Sequence, residues 1–195
     1  PALQAGLQKG DVFAAVNDES MDGKTASEVA DKVRGDTGTT VRLKMRRSDK
    51  THEYTITRAQ VNDPSVRWEL VDGVGLMTIS RFDSQTGALA RKAAEEFASQ
   101  KVNGVIIDLR DNSGGYLSAA NDVASLWLND QVVVTEKAND IIVDTIKSGK
   151  NAPLATVKTV LLVNNNSASA SEIVAGALQE HGKAQLIGEK TYGKG

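Results

Sequence analysis

Ser169 and Lys194 carry the strongest chemical suggestion in the chain. The serine closes a serine-rich turn running from Asn164 and opens a stretch of helical periodicity. The lysine arrives after the next short strand, between Gly193 and Gly195. A hydroxyl at a helix N-terminus with an amine delivered to it is a pairing of nucleophile and general base. The free N–H groups and positive dipole end at that position would stabilise an oxyanion, with the N–H of Ala170 as the natural first donor. The same residues also have a purely structural reading. Ser169-Ala-Ser-Glu172 is a capping box, in which the serine caps the helix and Glu172 reaches back. Sequence alone leaves both readings open.

A second oxyanion donor would come from the stretch Asp108 to Gly115, a glycine-rich turn between an apolar run and a helix. Gly114 and Gly115 can take conformations that aim backbone N–H groups outward, or they can simply make the turn. Lys194 as a base faces an energetic obstacle. A free lysine, with a pKa of about 10.4, is neutral in only about one molecule in a few thousand at pH 7, so desolvation or a neighbouring positive charge must help. Histidine is the competing base, and the chain has two. His52 shares a strand face with Tyr54 and Ile56. His181 lies at the far end of the helix that Ser169 begins, about 18 Å away at 1.5 Å per residue. Neither suits a Ser-His pair, and a helix C-terminus explains His181.

Gly188 to Lys194 also has the G-x-x-x-x-G-K spacing of a phosphate-binding loop. Gly195 stands where Ser or Thr should hold magnesium, and these 195 residues include no helix after it to present an N-terminus to phosphates. That reading leaves the serine turn and the Gly-Gly turn unexplained. Absence of cysteine removes disulfides, zinc thiolates and cysteine nucleophiles. A net charge of −2 gives no basis for a nucleic-acid partner. Arg42, Lys44 and Arg46 alternate with Val41, Leu43 and Met45, which predicts a solvated strand face.

The elements that must position these groups fall into two domains and a linker. At 195 residues, 40 % hydrophobic and 25 % charged, the composition is that of a globular protein able to bury about 70 % of its unfolded surface. Residues 1–60 read as a small domain: an apolar run over 12–16 turning at Asn17-Asp18, an amphipathic helix over 25–34 stopped by Gly35, and strands over 40–46 and 52–58. Residues 61–67, with Pro64, read as the linker. Residues 68–195 alternate strand and helix, an α/β pattern. Strands are predicted over 74–79, 105–109, 131–135, 140–146 and 160–163, with helices over 86–100, 117–128 and from Ser169. The run over 105–109 is apolar on both faces apart from Asp108, as in a central strand. The chain starts at Pro1 without a methionine and reads as a piece of something longer.

PALQAGLQKGDVF and the elements after it resemble the later part of a PDZ domain. The strand and carboxylate-binding loop that hold a peptide C-terminus lie upstream in relatives. VNGVIIDLRDNSGGYLSAANDVASLWL and VLLVNNNSASASEIVAGALQEHGKAQLIGEKTYGKG resemble the carboxy-terminal processing peptidases, or tail-specific proteases. The resemblance implies a ClpP/crotonase-like protease core preceded by a truncated PDZ-like domain. It implies Ser169 as nucleophile, Lys194 as base, and Ala170 with Gly114 or Gly115 as the oxyanion hole. It further implies cleavage of protein substrates near their C-termini without metal or cofactor, in the bacterial periplasm or cell envelope. A membrane tether outside this stretch and a homo-oligomer fit such a protein. Relatives carry a glutamine four residues after the lysine, which orients it. A chain ending at Gly195 lacks it, and its carboxylate would favour the ammonium form of Lys194, so this piece is expected to be impaired. Glu180, where some relatives have aspartate, is given no role. The alternative is a non-catalytic peptide-binding scaffold on a protease-like core.

Overall fold

The computed structural model describes residues 1–61, 63–139 and 141–194. The chain divides into two compact units, Pro1–Asn62 and Asp63–Gly195. In the first, strands β1 (Val12–Val16), β2 (Glu19–Ser20), β3 (Thr40–Arg47) and β4 (Lys50–Thr57) form an antiparallel sheet in the order β2-β1-β3-β4. Helix α1 (Ala26–Val33) starts at a true capping box, with Thr25 N–H donating to Glu28 Oε2 and Glu28 N–H to Thr25 Oγ1. Strand β3 buries Val41, Leu43 and Met45 beside Val16, Met21 and Ile56. Its intervening cations face outward, where Arg42 pairs with Asp18 and Lys44 with Glu53. That is the solvated face the alternation predicted. His52 stacks near Tyr54, with ring centroids 6.4 Å apart.

The second unit contains a five-stranded sheet in the order β11-β10-β7-β6-β5. Strand β5 (Val66–Val71) is antiparallel to β6 (Val74–Ile79), while β6, β7 (Gly104–Asp108), β10 (Thr159–Val163) and β11 (Gln185–Gly188) run parallel. Helices α2 (Thr86–Ser99), α3 (Leu117–Ala124) and α4 (Ala170–Glu180) make the crossovers. These step in one direction across the sheet, so right-handed connections put the helices on one face. There α3 packs between α2 and α4. The core beneath them holds Met77, Ile79, Phe97, Ile107, Leu109, Trp127, Leu161 and Leu178. Phe97 lies so close over Gly75 that a Cβ there would sit 2.7 Å from its ring.

Three elements differ from the sequence reading. Strand β5 begins inside the stretch assigned to the linker, joined to β6 by Asp72-Gly73 with φ of 50° and 78°. Helix α3 stops at Ala124 rather than Leu128, because Leu126, Trp127 and Leu128 are all fully buried and three consecutive residues cannot all face the core from one helix. A tighter turn takes over, with Leu126 N–H bonded to Val123 and Trp127 N–H to Ala124. The hairpin of β8 (Val132–Ala138) and β9 (Ile141–Lys147) is longer than predicted, and the predicted strand start at Asp140 lies outside the described residues. So do Asn62 of the linker and Gly195.

Candidate active site

Because β7, β10 and β11 are parallel neighbours, the loops after their C-terminal ends emerge on the same edge of the sheet. That is where open α/β sheets bind ligands. These loops are the Gly-Gly turn, the serine turn and the lysine segment.

The serine turn is fixed by its outer members. Ser167, fully buried, donates its hydroxyl to the Leu109 carbonyl (2.7 Å), and Ser171 donates to that of Asn112 (2.9 Å). Both hydroxyls are spent on backbone, which leaves Ser169 as the half-buried serine of the three. Its backbone has φ 53° and ψ −115°, a conformation that costs an L residue on the order of 1–3 kcal/mol. The Glu172 N–H bonds the serine carbonyl at 2.8 Å and also faces the serine side chain in the capping box. Glu172 Oε2 accepts the Ser169 N–H at 2.9 Å. The capping arrangement and an available nucleophile therefore coexist.

The Gly-Gly turn lies directly on this serine. A Cβ on Gly114 (φ 102°) would sit 2.7 Å from the Ala168 carbonyl oxygen, 2.9 Å from Ser169 Cβ and 3.0 Å from Ala170 N, so only glycine fits. Gly115 (φ 144°) packs on Phe82, where a Cβ would come within 2.0 Å of the carbonyl oxygen. Asn112, fully buried, holds the turn. Its amide donates to the Ile79 carbonyl (2.7 Å), its Oδ1 accepts the Gly114 N–H (2.9 Å), and its carbonyl accepts the Ala168 N–H (3.0 Å). The Gly114 N–H is thus already committed. The Gly115 N–H is the next along the turn, and Ala170 N at the helix start lies 3.0 Å from where a Cβ on Gly114 would stand.

The lysine segment is laced to the same helix through Glu172. Its Oε1 accepts the Gly193 N–H at 2.7 Å and its Oε2 the Lys194 N–H at 2.9 Å. Tyr192 N–H adds a bond to the Ser167 carbonyl (3.0 Å). Burial pushes the Glu172 carboxyl up. Hydrogen bonds from the Thr191 side chain and from the N–H groups of Lys194, Gly193 and Ser169 outweigh it, so the group ionises below its ordinary range. A sequence could announce Glu172 only as a capping-box member, since its other partners lie some twenty residues away. The N–H groups that a phosphate-binding loop would offer to nucleotide face this carboxylate instead.

Lys194 is exposed, and with Asp111, Ser113, Asn166, Ala168 and Tyr192 it lines a cleft of about 440 Å³. The dry setting that a neutral lysine requires is therefore not supplied by the described residues around it. His181 is occupied elsewhere, its Nε2 lying 2.7 Å from the Val132 carbonyl oxygen. Glu180 is exposed at the far end of α4.

Residues 73–195 match the family model described as peptidase family S41, and residues 1–47 match a PDZ domain model. A Staphylococcus haemolyticus protein named "Probable CtpA-like serine protease" is 37 % identical across the whole of this chain, and one of that name from Staphylococcus aureus is 34 % identical. The chain spans about 40 % of the length of these relatives. Among solved structures, the photosystem II D1 C-terminal processing protease superposes on the whole chain with a TM-score of 0.68 at 28 % identity, over 55 % of its own length.

Proposed function

The chain belongs to peptidase family S41, and from that premise we propose that it forms the catalytic part of a serine endopeptidase acting near the C-termini of protein substrates. The observation that carries the reading is Ser169, held in a strained conformation at the head of α4, with a glycine backbone against its Cβ and the lysine segment tied to the same helix.

In this mechanism Ser169 Oγ attacks the scissile carbonyl and passes its proton to the neutral Lys194 amine. The oxyanion is met by the N–H groups of Ala170 and Gly115, each worth about 10²–10³ in rate. The C–N bond then breaks, and Lys194 returns the proton to the departing amine. Water, deprotonated by the same lysine, hydrolyses the acyl ester and restores the serine. A substrate chain lying in the cleft beside Lys194 would displace water from around the amine as it aligns.

The test is cleavage of an unstructured C-terminal extension by the purified full-length protein. Ser169→Ala and Lys194→Ala should each lower turnover by at least about 10³-fold while the far-ultraviolet circular dichroism is unchanged. Undiminished cleavage by Ser169→Ala would move the nucleophile elsewhere. Cleavage confined to internal sites would remove the C-terminal preference while keeping the peptidase.

A further inference from the structure

Phe82 holds the Gly-Gly turn by its main chain. Its N–H donates to the Gly114 carbonyl (2.9 Å) and its carbonyl accepts the Tyr116 N–H (2.8 Å), a parallel bridge that pairs Phe82 with Gly115. In such a bridge one residue bonds the neighbours on either side of its opposite number, so that opposite residue's own N–H and carbonyl face the other way. Gly115 is that residue. It is exposed, and among the described residues neither its N–H nor its carbonyl has a hydrogen-bond partner. The same holds for Ser113. Gly114, between them, is buried and bonded inward, to Asn112 Oδ1 and the Phe82 N–H. The turn therefore carries a short open strand edge, and an open edge is a template for another chain. This one lies against the nucleophile, since a Cβ on Gly114 would be 2.9 Å from that of Ser169.

We propose that the substrate is read through its main chain, by adding to this edge as an antiparallel strand in which Gly115 pairs with the residue whose carbonyl Ser169 attacks. The proposal rests on the peptidase reading above, with the Gly115 N–H as an oxyanion donor. In an antiparallel hydrogen-bonded pair the two residues exchange both bonds. The Gly115 N–H then meets the attacked carbonyl, and the Gly115 carbonyl takes the N–H of that same substrate residue. The direction follows from what lies at either end of the edge. An antiparallel strand sends the departing half of the substrate back past Ser113, into the 440 Å³ cleft that Ser113 lines with Lys194, the group that protonates it. A parallel strand would carry that half toward Leu117, where helix α3 begins and the edge stops. Recognition of this kind is indifferent to most side chains but requires an unfolded segment. At the attacked residue it requires an N–H, so proline is excluded there.

The test removes that N–H from the substrate and leaves the protein untouched. In a peptide copying the site cut by the full-length protein, the residue before the scissile bond is replaced by its α-hydroxy acid. An ester oxygen then stands where the N–H was, without added bulk. The kcat/KM for the scissile amide should fall about tenfold, and the same replacement well upstream should change nothing. Pairing with Gly115 itself is read in Ser169→Ala, where the peptide stays whole. Gly115-Tyr116 is the one Gly-Tyr step in these 195 residues, so carbonyl-labelled glycine with nitrogen-labelled tyrosine singles out the Gly115 carbonyl by nuclear magnetic resonance. Its signal should move downfield with the amide peptide and stay put with the ester. Equal cleavage of the two peptides, or a Gly115 carbonyl indifferent to the amide peptide, overturns the pairing and leaves the peptidase standing. A loss seen instead with the ester at the second residue after the scissile bond would make the strand parallel and overturns it too. Failure to cleave any peptide removes the peptidase reading and this inference together.

Discussion

The carboxylate of Glu172 accepts the backbone N–H of Lys194 at 2.9 Å through the oxygen that also holds the N–H of Ser169. One atom thus sets the spacing between the backbones of the proposed base and nucleophile. Glu172→Ala removes the link, and a displacement of about 1 Å at such a site costs about 10² in rate. Turnover should fall by about that factor, with little change in the global unfolding midpoint. Because the folded carboxyl ionises below its ordinary range, its contribution is fully present above the unfolded value of about 4.3. It is lost as pH falls through the lowered folded value. Amide exchange at Gly193 and Lys194 should accelerate on acidification in that window for wild type, and be fast throughout for the variant. Slow exchange in Glu172→Ala would mean the segment is held by something else.

The two glycines of the turn should separate by experiment. Gly114→Ala inserts a Cβ against Ala168, Ser169 and Ala170 at a φ of 102°, so both stability and turnover should fall sharply. Gly176, exposed within α4 with nothing within 4 Å of a built Cβ, makes the control. Gly176→Ala should raise stability by about 0.5–1 kcal/mol with activity unchanged, since alanine loses less entropy in a helix. A neutral Gly114→Ala would contradict the tight approach of the two turns.

How legible this was follows from the range of the interactions. Helices α1 and α4 start where their capping boxes lie, because a cap is a contact between residues three apart. Strand β5 lies just after Pro64, whose break signal masks it locally even though Asp72-Gly73 is a strong hairpin signal. The convergence of the Gly-Gly, serine and lysine loops needs the parallel order of β7, β10 and β11, which no local pattern states. The commitment of Gly114 N–H to Asn112 is short-range, but it depends on Asn112 being buried. The exposure of Lys194 runs against the dry niche its proposed chemistry would want, and periodicity carries no information on that.

The first unit has its own titration. Asp11, with its side chain only 3 % exposed, pairs with Arg47 at 2.6 Å, and hydrogen bonding to that guanidinium holds its carboxyl at about 2. The stabilisation is complete above the unfolded value of about 3.9 and disappears as pH falls toward 2. Asp11→Asn should flatten the pH dependence of this unit's unfolding in that window. Both tryptophans, Trp68 and Trp127, and two of the three tyrosines, Tyr116 and Tyr192, belong to the second unit, so amide exchange is the proper probe of the first. An unchanged pH dependence would mean the pair persists in the unfolded chain.

Strain at Ser169 makes the sharpest forecast. Its φ of 53° with ψ of −115° penalises any side chain but not glycine, at a cost of about 1–3 kcal/mol. Glycine gives back about 0.5–1 kcal/mol in chain entropy. Ser169→Gly should therefore be about 1 kcal/mol more stable than Ser169→Ala, although each lacks the hydroxyl. Both should be inert toward the peptide substrate. Urea unfolding of the two variants beside wild type reads the difference directly. If alanine proves as stable as glycine, the backbone there is not strained and the nucleophile's presentation owes nothing to stored energy. If the glycine variant still cleaves, the hydroxyl was never the attacking group, whatever its conformation.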